Sequence, residues 1–274
     1  TSKDLTGSDA IHTDPDYSAT YVTVFTSDNN LKGFGIAFTI GKGNDIVAEC
    51  IKHFFPLFIG KTLDELEKEI GKLWFQCVDH SQLRWLGPEK GVVHMAVAAI
   101  FNSLWDLIAK KNQKPLWRFV VDSKPDTIMK WLTFKYIEDA LSEDDAYSIL
   151  YNSQNVKEQR IQNIIKEGYP SYTTAAGWLG YSDEKLRRLC LEAVEAGWTH
   201  LKLKVGADLE DDIRRLRTVR EVVGDRITLM VDANQVWEPA EAIEWMKSLA
   251  EFNLWFLEEP TSPDDVIGHR QIRD

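Results

Sequence analysis

Three short apolar runs in the second half of the chain each close on charged or amide side chains: THLKLKVG (199–206), ITLMVDANQ (227–235) and LWFLEEPT (254–261). Lys204 is followed 28 residues later by Asp232, and Asp232 26 residues later by Glu258. Each step has the length of one strand–helix–strand unit. The intervening sequence agrees: Asp208 caps a predicted helix over 209–223, and Pro239 stands in the first turn of another over 239–251. Ser182 caps a third, which runs to Ala196 and ends at Gly197. Alternating strands and helices imply a parallel sheet, and strands this apolar imply burial on both faces. In a parallel barrel the C-terminal strand ends meet at one mouth, where the active sites lie. The spacing therefore gathers residues that are distant in sequence into one pocket.

The first part of the chain reads as an α+β domain. Residues 21–25 and 31–40 form a predicted hairpin with its tip at Ser27-Asp28-Asn29-Asn30. Thr62 and Glu65 make a capping box before an amphipathic helix to about Phe75. Small and apolar residues from Val92 to Leu107 recur at three- and four-residue steps, giving a helix that ends near Asn112. Met129 to Ile137 is the candidate first strand of the second part. Ser142 to Gly168 is a polar helical stretch, and Tyr169 to Tyr181 an ordered loop.

Chemistry concentrates at the three strand ends. Lys202 and Lys204 are two apart on a strand and share a face, while Leu201, Leu203 and Val205 take the other. Two ammonium groups facing inward call for something anionic, and repulsion with partial burial lowers a lysine pKa toward that of a useful base. Asp232 and Asn234 share a face at the next strand end, with Asp232 a hard-cation ligand and Asn234 supporting it. Glu258 holds the matching place on the following strand; Glu259 points the other way and is expected to make structural contacts. Two oxygen ligands on successive strands suggest Mg2+. This set suits removal of a weakly acidic proton beside a carboxylate: a lysine takes the proton, and a divalent cation stabilises the enediolate.

A net charge of −11 argues against nucleic acid or an anionic membrane as partner. No apolar run approaches the ~20 residues of a membrane span. Cys50, Cys77 and Cys190 follow no metal-ligand or disulfide pattern and read as structural thiols in a reducing compartment. The six histidines are scattered, without ligand spacing. The first residue is Thr rather than Met, so the native N-terminus is expected to lie upstream. The location is then cytoplasmic, or mitochondrial in a eukaryote.

The K-x-K at 202–204, V-D-A-N-Q at 231–235 and E-E-P-T at 258–261, in that order, resemble the mandelate-racemase subgroup of the enolase superfamily. Sites of that superfamily pair a Lys or His base with Mg2+. GSDAIHTDPDYSA (7–19), LRWLGPEKGVVH (83–94), GYPSYTTAAGWLGYSDE (168–184) and EEPTSPDDVIGH (258–269) resemble the L-fuconate dehydratase family more specifically. The resemblance implies an α+β capping domain over 1–124, short of its first strand. The N-terminal half of a (β/α)8 TIM-type barrel would follow over 125–274. It implies Lys204 as the base for the C2 proton of a sugar acid and Lys202 as its neighbour on the substrate carboxylate. Asp232 and Glu258 become the first two Mg2+ ligands, with Asn234 beside the substrate. Gly7, Ser8, Asp9 and Tyr17 fall in a substrate-contacting loop, and Trp85 in a second loop at the same mouth. The family takes its third metal carboxylate and its His–Asp acid from later strands, whereas this sequence ends at Asp274.

The function expected is therefore that of a Mg2+-dependent sugar-acid dehydratase of the L-fuconate type, giving a 2-keto-3-deoxy acid. The complete protein is expected to be a homo-oligomer, and this stretch alone inactive. Other readings are another dehydratase or racemase of the subgroup, or a non-catalytic interaction module. A Schiff-base enzyme using Lys204 would leave Asp232 and Glu258 without a role.

Overall fold

The structure is a computed structural model that describes residues 6–28, 30–87, 89 and 91–274. Asn29 of the expected hairpin tip, and Pro88 and Lys90 of the 83–94 segment, lie outside the described residues. The chain divides into two compact units: Tyr17–Gly168, and the segment up to Asp16 together with Tyr169–Asp274.

In the Tyr17–Gly168 unit, β1 (Ser18–Phe25) and β2 (Lys32–Thr39) form the expected antiparallel hairpin, with Tyr21 opposite Ile36. Alternation sends Val22 and Ala37 into the core and leaves Tyr21, Phe25, Phe34 and Phe38 exposed. The helices α1 (Asn44–Phe54), α2 (Leu63–Val78) and α3 (Val92–Lys111) follow. The Thr62–Glu65 capping box is formed, since Thr62 Oγ1 accepts from Glu65 N at 3.2 Å and Thr62 N donates to Glu65 Oε2 at 2.7 Å. Gly35 lets β2 lie directly on α3: a Cβ there would stand 1.9 Å from the Ala99 carbonyl oxygen. Helix α3 is long and apolar enough to cross a membrane, with a mean hydropathy of 1.6, contrary to the expectation that no segment reaches that length. It serves here as a core helix, 61% of its most apolar stretch being buried.

The unit continues through α4 (Leu116–Asp122), α5 (Pro125–Met129), α6 (Glu143–Ser153) and α7 (Lys157–Glu167). The strand expected over 129–137 is absent: α5 occupies its start, turns follow, and Tyr136 adopts φ 72. Trp131 of this stretch has gone instead to an aromatic cluster. Trp131 packs on Trp105 (ring centroids 5.0 Å apart) and on Phe119 (5.9 Å). By compactness, 125–168 groups with the first unit, which runs to Gly168.

The other unit is built on three parallel strands in the order β3 (His200–Lys204), β4 (Thr228–Asp232), β5 (Leu257–Glu258). The helices α8 (Asp183–Glu195), α9 (Leu209–Val223), α10 (Pro239–Leu249) and α11 (Val266–Arg273) alternate with or follow them. Ser182 and Asp208 cap α8 and α9 as expected, accepting from Lys185 N at 3.3 Å and Asp211 N at 2.9 Å. Leu201, Leu203, Val205, Leu229 and Val231 are buried with Leu186, Cys190 and Leu216 from the helices. Cys77 and Cys190 are buried free thiols, pushed by burial up to about 12 and about 11 respectively.

The free edge of β3 is also paired. Lys202 N donates to Thr173 O at 3.0 Å, Thr173 N to His200 O at 3.1 Å and Lys204 N to Gly177 O at 2.8 Å. Thr173 and Leu201 form a parallel bridge. The segment 172–177, expected to be a loop, thus occupies the place beside β3 that the sequence assigned to 129–137. Gly177 makes this possible, because a Cβ there would stand 2.1 Å from the Lys202 carbonyl oxygen.

Candidate active site

Lys204, Asp232 and Glu258 form one row across the sheet. Lys204 is the register partner of Asp232, and Asp232 of Glu258. Adjacent parallel strands lie ~4.8 Å apart, so same-facing side chains in one row come within ion-pair reach. Lys204 Nζ donates to Asp232 Oδ2 at 2.7 Å and to Asn234 Oδ1 at 2.8 Å. Lys202, one pleat earlier on the same face, donates to Asp232 Oδ2 at 3.0 Å and to Glu258 Oε2 at 2.7 Å. Lys202, Lys204 and Asp232 are 5%, 7% and 1% exposed, so their charges survive only because they neutralise one another.

The chain beyond β4 is shaped to hold Asp232. Asn234 N donates to Asp232 Oδ1 at 2.9 Å, leaving Oδ2 to the two lysines. Asn234 and Gln235 both take left-handed backbone, with φ 50 and 69. Glu259 makes the structural contacts expected of it: its carboxylate accepts from Gln235 Nε2 at 3.1 Å and from Asn234 Nδ2 at 3.4 Å. Burial favours the neutral acid of Asp232, but the Lys204 and Lys202 ammoniums and the Asn234 N–H outweigh it and hold the carboxyl below its usual range. For Lys202, burial pulls the ammonium down while Glu258, Tyr172 and Asp232 together raise it above its ordinary value. For Lys202 this reverses the lowered lysine pKa expected from repulsion between the two ammoniums, because two carboxylates accept from it, at 3.0 and 2.7 Å.

Two side chains that the sequence did not single out also reach this face, both from the segment paired with β3. Tyr172 Oη donates to Glu258 Oε2 at 3.4 Å, and Lys202 Nζ lies 4.9 Å from the Tyr172 ring centre. The Trp178 ring centre is 5.2 Å from Lys204 Nζ. The available signal was the aromatic density of GYPSYTTAAGWLGY, which strand-end spacing alone does not weigh.

The remaining predicted site residues are placed differently. Gly7 and Ser8 are tied to Leu179: Gly7 N donates to Leu179 O at 3.0 Å, and Leu179 N to Ser8 O at 3.1 Å. Ser8 is fully buried. Asp9 closes its own turn, its Oδ1 accepting from Ile11 N at 3.0 Å and His12 N at 2.7 Å, with His12 Nδ1 2.9 Å from Oδ2. Tyr17 and Trp85 belong to the Tyr17–Gly168 unit. The Tyr17 ring centre lies 5.8 Å from that of Phe38, and Trp85 is 82% exposed beneath the Arg84 guanidinium.

Among the described residues, no three His, Cys, Asp or Glu side chains converge as a metal-ligand group. Asp232 and Glu258 nevertheless fit a share of a Mg2+ site. They already hold one cation in common, the Lys202 ammonium, through hard oxygen donors. Mg2+ typically takes one or two carboxylates and fills its remaining positions with water and substrate.

An α+β unit and a unit of parallel strands and helices, with lysines facing carboxylates at the strand ends, define the architecture against which known families can be compared. Residues 9–120 match the family described as the mandelate racemase / muconate lactonizing enzyme N-terminal domain, and residues 185–274 the enolase C-terminal domain-like family. The chain belongs to the enolase superfamily. It is similar to the crystal structure of human mitochondrial enolase superfamily member 1, with TM-score 0.94 and 47% identity over 98% of this chain and 61% of that one. It is 48% identical to L-galactonate dehydratase of Hypocrea jecorina, over 100% of this chain and 61% of the relative. A third likeness, in fold alone, is to L-talarate/galactarate dehydratase from Salmonella typhimurium LT2 liganded with Mg and L-lyxarohydroxamate. There the TM-score is 0.66 at 24% identity, over 96% of this chain and 56% of that one. The chain spans about 60% of the length of the curated relatives it matches.

Proposed function

We propose that this chain carries the proton-abstracting part of a Mg2+-dependent sugar-acid dehydratase of the L-fuconate type. The observation that carries the reading is the row Lys204–Asp232–Glu258, with Lys202 bridging the two carboxylates. The names of the Hypocrea and Salmonella proteins support a sugar acid as substrate, and that of the human protein supports a mitochondrial location.

In this reading Lys204 Nζ, freed of its own proton, takes the proton from C2 of the substrate. The electron pair moves onto the substrate carboxylate, which Lys202 Nζ faces. Asp232 and Glu258 would hold Mg2+, and Asn234 fixes Asp232. When bound, Mg2+ supplies positive charge where negative charge develops on the carboxylate. Trp178 and Tyr172 restrict water on the side of the segment paired with β3. Departure of the C3 hydroxyl needs a proton donor, and that role, like the third metal carboxylate, is assigned to no residue of this chain. The three parallel strands and the 172–177 segment are, in this reading, the first part of an eight-stranded barrel.

The test is turnover of L-fuconate and L-galactonate by the full-length gene product with Mg2+, followed as formation of a 2-keto-3-deoxy acid. Lys204→Ala is expected to abolish it. Unchanged turnover in that variant rejects Lys204 as the base.

A further inference from the structure

Behind the row, on the helix that follows β3, two charged side chains are sealed from solvent. Asp212 and Arg215, both on α9, are each 1% exposed. Arg215 spreads its guanidinium over three backbone carbonyls. Nη1 donates to Lys204 O at 2.7 Å, and Nη2 to Gly177 O at 2.9 Å and Trp178 O at 3.2 Å. Asp212 Oδ2 accepts from Gly206 N at 2.7 Å and from Trp245 Nε1 at 3.2 Å, while its Oδ1 lies 3.4 Å from Arg215 Nη1. The pair thus grips the chain just after the Lys204 side chain, at its own carbonyl and at the amide two residues on.

Stability is a weak explanation for this arrangement. A buried ion pair gives little over a well-packed apolar pair of the same volume. Arg215 Nε is buried without a partner, which adds a desolvation cost. What only a planar five-donor fork supplies is fixed geometry: it holds several acceptors at set angles, which a lysine cannot do. All three acceptors belong to residues at or behind the row. One is Lys204. The second is Trp178, whose ring stands beside Lys204 Nζ. The third is Gly177, whose carbonyl also accepts from Lys204 N.

We infer that Arg215, oriented by Asp212, is a positioning residue that fixes Lys204 against Trp178 so that the lysine meets the substrate proton at one angle and distance. The inference rests on the reading of Lys204 as base. A misplacement of ~1 Å at a reacting group can lower the rate about a hundredfold without touching substrate affinity.

The test uses the full-length gene product with L-galactonate or L-fuconate as probe and Mg2+ present. Arg215→Lys keeps the charge beside Asp212 but cannot span three carbonyls. It is expected to fold cooperatively, to keep KM and Mg2+ affinity within about threefold, and to lower kcat by about 10- to 100-fold. If it does not fold, the neutral pair Asp212→Asn with Arg215→Gln replaces it, with the same split expected. Unchanged kcat in a folded variant overturns the inference. So does a parallel fall in kcat, substrate affinity and Mg2+ affinity, or failure of both variants to fold, since each assigns the pair to the fold alone. Lys204→Ala, run beside them, separates the two readings. If that variant keeps turnover, the base assignment fails; if it is dead while Arg215→Lys is unimpaired, only the positioning role fails.

Discussion

Lys204 and Asp232 are register partners on neighbouring parallel strands, and Nζ of one stands 2.7 Å from Oδ2 of the other. Their separation of 28 positions is the length of chain needed to leave one strand, cross a helix and return alongside. Register does the rest, placing both side chains on the same pleat and face.

The Lys202 ammonium occupies the carboxylate oxygens that, on the proposed reading, would hold a divalent cation. Lys202→Met is therefore expected to tighten Mg2+ or Mn2+ binding. Removing a positive charge ~4 Å from a divalent cation is worth about 2–8 kcal/mol between aqueous and near-surface dielectric. Asp232→Asn should weaken binding instead. Isothermal titration reads both, and weaker binding by the Met variant would show that Lys202 does not compete for the carboxylates.

Gly177→Ala places a methyl group 2.1 Å from Lys202 O and 2.7 Å from Leu203 Cα, both backbone positions that cannot rotate away. The expected cost is about 1–3 kcal/mol, visible as a lower urea midpoint with Tyr172 and Trp178 displaced. An unchanged midpoint would mean that 172–177 is not seated against β3.

Asp212 predicts an unusual pH dependence. Burial pushes its carboxyl from 3.8 up to about 6, against the pull of the Gly206 N–H, Arg215 and the Trp245 N–H. The folded chain therefore binds this proton more tightly than the unfolded chain between pH 3.8 and about 6. The contribution of Asp212 to stability falls as pH rises through that window and is least favourable above it, the reverse of an ordinary ion-paired carboxylate. Asp212→Asn does not titrate, so its unfolding free energy relative to the parent should improve between pH 4 and pH 7. Urea titrations at several pH values decide it, and a change in the opposite direction removes the prediction.

Thr62→Ala removes one side of a formed capping box in the other unit. It should cost about 1 kcal/mol by urea denaturation and leave Mg2+ affinity unchanged. A change in metal affinity would contradict assignment of the metal to Asp232 and Glu258.

The sequence was most legible where local signals agreed. Asp208, Ser182 and Thr62 cap the helices they were expected to cap, because an N-cap depends on a few consecutive residues. The strand ends at Lys204, Asp232 and Glu258 were legible because a strand–helix–strand unit has a narrow range of lengths. Residues 129–137 were misread because a short apolar run does not say what it packs against. Trp131 found Trp105 and Phe119, whereas the weaker pattern at 172–177 took the strand position, admitted by a glycine whose role only the structure reveals. The pKa expectation for Lys202 failed because it counted the nearest charge in sequence, Lys204, before the nearest charges in space.

The row also has an arithmetic of charge. Lys202 and Lys204 bring two positive charges and Asp232 and Glu258 two negative ones, so the cluster is neutral as it stands inside a chain of net charge −11. On the proposed reading, a divalent cation held there before Lys204 gives up its proton would turn a neutral patch into a doubly positive one, in a setting too buried for salt to screen fully. A carboxylate ligand is then held far better after the cation than before it, and by reciprocity the cation is held better once the carboxylate has arrived. On that reading each partner would favour the other's binding, with no moving part between them.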